Sequence, residues 1–217
     1  MALIRSVFQD ELDNISQSLV DLTEMVALSM TNATSAVLNC DLKLAEEVIA
    51  ADEKIDAFQH DIDTAIIDTI ARQQPVATDL RALVTALRMS ADLERMGDLS
   101  HHIAKVARLR HPECAIPDEL VELIKSLGEN SVLITKKVSV VISSRDTELA
   151  LEVEHDDDVI DEIHRKLIAS LLNPKFDYSI QKAIDLTLLG RYYERYADHA
   201  VSISRRVYFL VTGKYAS

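Results

Sequence analysis

Glu94-Arg95-Met96-Gly97-Asp98 and Glu194-Arg195-Tyr196-Ala197-Asp198 are two versions of one pentapeptide, set one hundred positions apart. In each, two carboxylates stand four residues apart inside a long stretch of helical patterning. Residues at that spacing share a helical face, with Cβ atoms about 6 Å apart. Read outward at alternating steps of four and three, the first copy extends to Leu80, Val84, Leu87, Ala91, Glu94, Asp98, His101 and Lys105. The second extends to Ile180, Ile184, Thr187, Arg191, Glu194, Asp198, Val201 and Arg205. The carboxylates therefore continue an apolar seam. A separate stripe of Met89, Leu93, Met96, Ile103 and Val106, matched by Leu189, Tyr193, Tyr196 and Ile203, remains to fill a core, while the acidic seam faces a neighbouring helix or a cleft.

The blocks around these two helices repeat as well. Residues 6 to 38 carry Val7, Leu12, Ile15, Leu19, Leu22, Met25 and Val26 at amphipathic spacing, and Asn39-Cys40-Asp41 reads as a turn. A second helix is expected from about Leu42 to Arg72, stopped by Gln74-Pro75, and a third from about Val76 to Arg110, stopped by His111-Pro112 and Pro117. The scheme recurs over about 118 to 143, 146 to 172 and 178 to 212, with Asn173-Pro174 as a stop. The expected fold is all-α: six long helices in two tandem three-helix bundles, 1–111 and 112–217, joined through 111–117.

Composition supports long helices and limits the partners. The chain has 217 residues, of which 48% are hydrophobic, enough for a real core, and only four glycines and four prolines. Its formal net charge of −13 opposes binding to nucleic acid or an anionic lipid surface, since both require Lys and Arg to neutralise phosphate. No basic pocket is evident in the sequence. Cys40 and Cys114 lack a Cys-x-x-Cys arrangement, and the opening Met-Ala-Leu-Ile-Arg has no signal-peptide pattern; two reduced thiols in a cytoplasmic setting are expected. No apolar run approaches the roughly 20 residues that span a bilayer, so direct membrane insertion is not expected.

The middle helices carry a second set of acids. Val48, Ala51, Ile55, Phe58, Ile62 and Ala65 form an apolar stripe beside Ile49, Asp52, Asp56, Gln59, Asp63 and Ile66. In the second half, Val153, Ile160, Ile163 and Leu167 lie beside Ala150, Glu154, Asp157, Asp161, His164 and Ile168. Each half thus offers two acidic pairs on consecutive helices: Asp52/Asp56 with Glu94/Asp98, and Asp157/Asp161 with Glu194/Asp198.

Two carboxylates about 6 Å apart repel by roughly 3 kcal/mol at an effective dielectric near 20, and a cation turns that cost into binding energy. Oxygen-rich sets on facing helices suit magnesium, manganese or iron, with zinc an option where His101, His102, His164 or His199 joins. A single such pair is ordinarily a solvated acidic face, and Arg191 stands one turn from Glu194 as a salt-bridge partner. Two copies in register carry more weight. The histidines do not follow the repeat, because His101, His102 and His199 align with Val201, Ser202 and Leu99; they are read as solvated or auxiliary.

Ile70-Ala71-Arg72-Gln73-Gln74-Pro75-Val76-Ala77-Thr78-Asp79-Leu80-Arg81, followed by Ala91-Asp92-Leu93-Glu94-Arg95-Met96-Gly97-Asp98, closely resembles the signature of the PhoU family of phosphate-transport regulators. The resemblance covers the whole chain. It implies a cytoplasmic regulator, not an enzyme, that dampens high-affinity phosphate uptake and the phosphate-starvation response. Its implied partners are the ATPase subunit of the phosphate transporter and the phosphate-sensing histidine kinase. It also implies two three-helix bundles that hold iron or other metal clusters at the acidic motifs, and a homodimer.

The motif carries over most firmly at Glu94, Asp98, Glu194 and Asp198, and more loosely at Asp52, Asp56, Asp157 and Asp161. Tyr196-Ala197 in place of Met96-Gly97 puts equal metal occupancy of the halves in doubt. Two other readings stand beside this one. A carboxylate-bridged di-metal oxidase would use Asp98-x-x-His101 and Asp161-x-x-His164 as imperfect versions of a Glu-x-x-His element. A purely structural bundle would use the acidic seams for solubility.

Overall fold

The computed structural model describes residues 2–175 and 178–214, with side chains from Phe8 onward, so the expected core role of Val7 lies outside the described residues. Six long helices run in order: α1 Ala2–Asn39, α2 Leu42–Gln73, α3 Thr78–Arg110, α4 Val121–Ser144, α5 Thr147–Leu171 and α6 Ile180–Thr212. A single 3-10 turn, Asp118–Leu120, precedes α4, and there is no strand among the described residues. The helices expected from patterning are all present, each end shifted by a few residues at most.

Local chemistry sets those ends. Asp41 caps α2 by accepting a hydrogen bond from the Leu44 amide at 3.0 Å, and Asp146 and Ser179 do the same for α5 and α6. At the far end of α2, Gln74 turns into the left-handed region at φ 46°, and Pro75 forbids continuation. Gly213 ends α6 at φ 70°, where a side chain would be strained.

α1, α2 and α3 pack together, as do α4, α5 and α6; α1 also lies along α4, and α3 along α6. The two sets therefore share one continuous core. Leu19, Leu22, Val26 and Met30 of α1, Leu93 and Met96 of α3, Ile124 and Val138 of α4, and Tyr193 and Tyr196 of α6 are all fully or almost fully buried in it. The stripe expected to fill the core from α3 and α6 does so. The upper part of the other seam does not: Leu80, Val84, Ile180 and Ile184 are exposed.

Thr34 of α1 takes part in two of the contacts that hold one set against the other. The Thr34 and Tyr193 hydroxyls share a buried hydrogen bond of 2.9 Å from α1 to α6. At Gly128 of α4, an added Cβ would stand 2.3 Å from Thr34 Cγ2, so only glycine lets α1 and α4 approach this closely.

The cysteines require a correction. They are not two separate thiols: Cys40 and Cys114 form a disulfide, with Cα atoms 5.2 Å apart across a sequence separation of 74. The topology explains the meeting. α1 and α3 point the same way, so the turn after α1 and the linker after α3 emerge at the same end of the bundle.

Candidate metal centre

α2 and α3 are antiparallel, as shown by Asp52 facing His101, Ile55 facing Gly97 and Asp63 facing Ser90. That arrangement brings Asp52 and Asp56 opposite Glu94 and Asp98. α5 and α6 repeat it, with Glu154 paired to Arg205 and His164 against Gly190, so Asp157 and Asp161 lie opposite Glu194 and Asp198. All eight acids selected from the sequence thus fall into two quartets on the flanks of the α2–α3 and α5–α6 contacts.

The quartets are electrostatically strained. In the first, burial raises the pKa of Glu94, with Asp98, Asp56 and Asp52 adding to it against Arg95. Burial likewise raises Asp56, reinforced by Asp52 and Asp98. In the second, burial together with Asp161, Asp198, Asp158 and Glu194 pushes Asp157 up to about 7 from its ordinary 3.8. Carboxylates at such positions hold a proton or a cation more tightly than an isolated acid does.

Arginines pair with three of the eight, all on α3 and α6. Arg95 donates to Asp98 at 2.8 Å and lies 3.5 Å from Glu94, while Arg191 pairs with Glu194 as its spacing predicts. Two acids of α2 and α5 are less satisfied. Asp52 is 7% exposed, and its Oδ2 pairs with His101 Nδ1, yet its Oδ1 is buried without a hydrogen-bond partner. His101 Nε2 and Asp157 Oδ1 are buried and unpartnered in the same way. Of the two readings of His101, solvated or auxiliary, the contact with Asp52 removes the first and agrees with the second. Its cue in the sequence was position, one turn beyond Asp98 on the same seam.

These orphaned oxygens fit a cation by donor chemistry, since hard divalent and trivalent ions take carboxylate oxygen. Among the described residues, however, no three His, Cys, Asp or Glu side chains converge as a ready-made coordination sphere. A bound ion must draw the carboxylates inward by side-chain rotation from backbones that already face one another. Gly97 lets α3 approach α2 closely on the first side: a Cβ there would lie 3.0 Å from Ile55 Cγ2 and 3.7 Å from Asp52 Oδ1.

Three further acids on these helices are engaged in cross-helix contacts. Asp63 accepts a 2.6 Å hydrogen bond from Ser90, Glu154 pairs with Arg205, and Asp92 of α3 binds both His199 at 3.1 Å and Arg206 at 2.9 Å on α6. Burial works to raise Asp92, but the hydrogen bonds from His199 and Arg206 outweigh it and leave its pKa lowered.

Comparison with known proteins places this architecture. The PhoU domain matches twice, over residues 19–107 and 124–207. The chain belongs to the PhoU family. It is 39% identical over 212 residues to the phosphate-specific transport system accessory protein PhoU homolog 2 of Mycobacterium tuberculosis, covering 98% of this chain and 100% of that one. A PhoU homolog of Rhizobium meliloti is 32% identical, with 98% and 90% covered. The crystal structure of the PhoU phosphate transport regulatory protein from Streptococcus pneumoniae superposes with a TM-score of 0.88 at 26% identity, covering 97% of this chain and 99% of that one. PhoU from Pseudomonas aeruginosa gives 0.87 at 27% identity, with 95% and 100% covered. The two PhoU domains contain both quartets, one in each matched stretch.

Proposed function

We propose that the protein is a regulatory adaptor of phosphate transport that restrains high-affinity phosphate uptake and phosphate-starvation signalling, and that it holds metal at its two acidic quartets. The observation that carries the regulatory part is the match along almost the full chain to accessory proteins of the phosphate-specific transport system. Its output is the choice of protein partner. The partners are the transporter's ATPase subunit, through which the adaptor reaches the membrane without inserting a helix of its own, and the sensor histidine kinase. No described helix is long and apolar enough to cross a membrane. The working form is a cytoplasmic homodimer, each chain organised as the units 1–111 and 112–217.

The metal part is supported by the buried, unpartnered Oδ1 atoms of Asp52 and Asp157 within like-charged surroundings. Asp52, Asp56, Glu94 and Asp98 would hold one ion or cluster, and Asp157, Asp161, Glu194 and Asp198 the other. Iron, manganese, magnesium and zinc all accept such oxygen donors. Bound metal would neutralise each quartet and clamp its two helices together.

Two measurements test this reading. Purified protein should capture the transporter ATPase and the sensor kinase at micromolar concentrations, and failure to bind either would remove the adaptor role. Elemental analysis of protein prepared without chelator or metal-carrying tag should show that Glu94→Ala with Asp98→Ala lowers metal content while preserving helicity. Unchanged metal stoichiometry would remove the site assignment.

A further inference from the structure

α3 and α6 run antiparallel, with Arg81 over the Phe209 ring at one end and Arg110 donating to Asp185 Oδ1 at 2.9 Å at the other. One flank of this helix pair opens as a cleft of about 540 Å³. Arg81, Thr85 and Arg88 stand at successive turns of α3 and face Ser202, Arg205 and Arg206 of α6. Four guanidinium groups on one cleft run against the character of a chain whose net charge is −13. They also overturn the expectation from sequence that no basic pocket exists.

Ion pairing leaves much of that charge uncancelled. Arg206 pairs with Asp92 and Arg205 with Glu154, while Arg81 and Arg88 have no acidic partner within ion-pair distance among the described residues. Asp198 is the one carboxylate on the lining.

The internal repeat supplies a control. Shifted by one hundred positions, the cleft residues correspond to Gln181, Asp185 and Leu188 on α6 and His102, Lys105 and Val106 on α3. Three of the four arginines have no basic counterpart, and Thr85 is matched by Asp185, which is used to hold Arg110. The matching flank therefore packs with Lys105 and an Arg110 that Asp185 neutralises, and the cluster of four arginines on this flank, two of them without an acidic partner among the described residues, calls for a ligand.

We propose that this cleft binds a small phosphorylated anion: inorganic phosphate itself, or the phosphoryl groups of a nucleotide. Guanidinium groups present paired N–H donors that match phosphoryl oxygens, and the Thr85 and Ser202 hydroxyls add neutral donors between them. The volume lies within the range of small-molecule sites, and concave walls concentrate the positive field. The inference stands on the cleft geometry and survives the loss of either the adaptor or the metal assignment.

Isothermal titration of the full chain at constant ionic strength, with phosphate, pyrophosphate, ATP and, as a matched anion, sulfate, tests it. Saturable binding of at least one phosphorylated probe is expected, and the tightest identifies whether the source is free phosphate or a nucleotide. Arg81→Gln with Arg88→Gln should weaken it more than tenfold. Lys105→Gln on the opposite flank should leave it unchanged. Arg88→Glu serves as a second disabling variant, because Arg88 is exposed and its replacement does not threaten folding. Absence of saturable binding by all three phosphorylated probes would overturn the proposal. So would equal binding of sulfate, or binding undiminished in the arginine variants whose circular dichroism matches the parent.

Discussion

In the first half of the molecule His101 reaches from α3 to Asp52, whereas in the second half Val201 occupies the matching position and no side chain donates to Asp157 Oδ1. The first half has Gly97 where α3 meets Ile55; the second has the fully buried Ala197. Only the first half is tied to the linker by a disulfide. Duplication has thus preserved helix spacing and the acidic quartet, while single side chains have given each copy its own charge balance and closeness of packing. The two quartets should differ in how strongly they hold protons and cations.

The largest expected effect breaks the asymmetry of the staple. Closing a loop across a sequence separation of 74 stabilises a folded chain by about 4 kcal/mol in the chain-entropy model. Reductant should lower Tm by about 10 °C. The Cys40→Ser/Cys114→Ser variant should start from that lower value and ignore reductant, whereas a parent protein equally indifferent to reductant would show that the bond contributes nothing.

Next in size is the contact between halves. Gly128→Ala would press a methyl group into Thr34 and disturb its hydrogen bond to Tyr193, costing about 3 kcal/mol by denaturant unfolding. A neutral result would mean that α1 and α4 separate readily.

Charge balance comes third. Asp157 keeps its proton to about pH 7 in the folded protein but releases it near 3.8 when unfolded. Its contribution is complete below about pH 4 and is lost as pH rises through 7. A shift of that size corresponds to about 4 kcal/mol, which partial solvent access reduces to about 1–2. Metal-free Asp157→Asn should therefore be more stable than the parent at pH 8 by about that amount, with the advantage vanishing toward pH 4. An identical pH profile for the two proteins would contradict the crowded-carboxylate description.

The smallest effect concerns the paired positions 97 and 197. Ala197→Gly should cost about 1–2 kcal/mol, through lost methyl burial and helix propensity. Gly97→Ala should change stability by less than about 1 kcal/mol, because improved propensity offsets pressure on Ile55. Equal costs at both positions would mean that the halves pack alike there.

Much of this was legible in the chain. Amphipathic spacing, Asn39-Cys40-Asp41 as a turn and Gln74-Pro75 as a stop placed the helices within a few residues, since these signals act within one or two turns. The eight acids were found because the repeat aligns them. His101 stands on the acidic seam but breaks the repeat, and its contact with Asp52, 49 positions away, is set by how the helices pack. Leu80 and Ile184 continue the seam expected to face a neighbouring helix or a cleft, yet are exposed: periodicity defines a face without saying what covers it.

The sequence by itself determined six helices, their order, the duplicated acidic motif and the family, because helix formation and motif spacing are short-range properties. Only the tertiary structure decided that Cys40 meets Cys114, that Thr34 bonds Tyr193 across the halves, and that arginines from α3 and α6 converge on one cleft. Those outcomes depend on which helix faces are pressed together. Side chains more than a hundred positions apart acquire a shared environment only when the two bundles close on a single core.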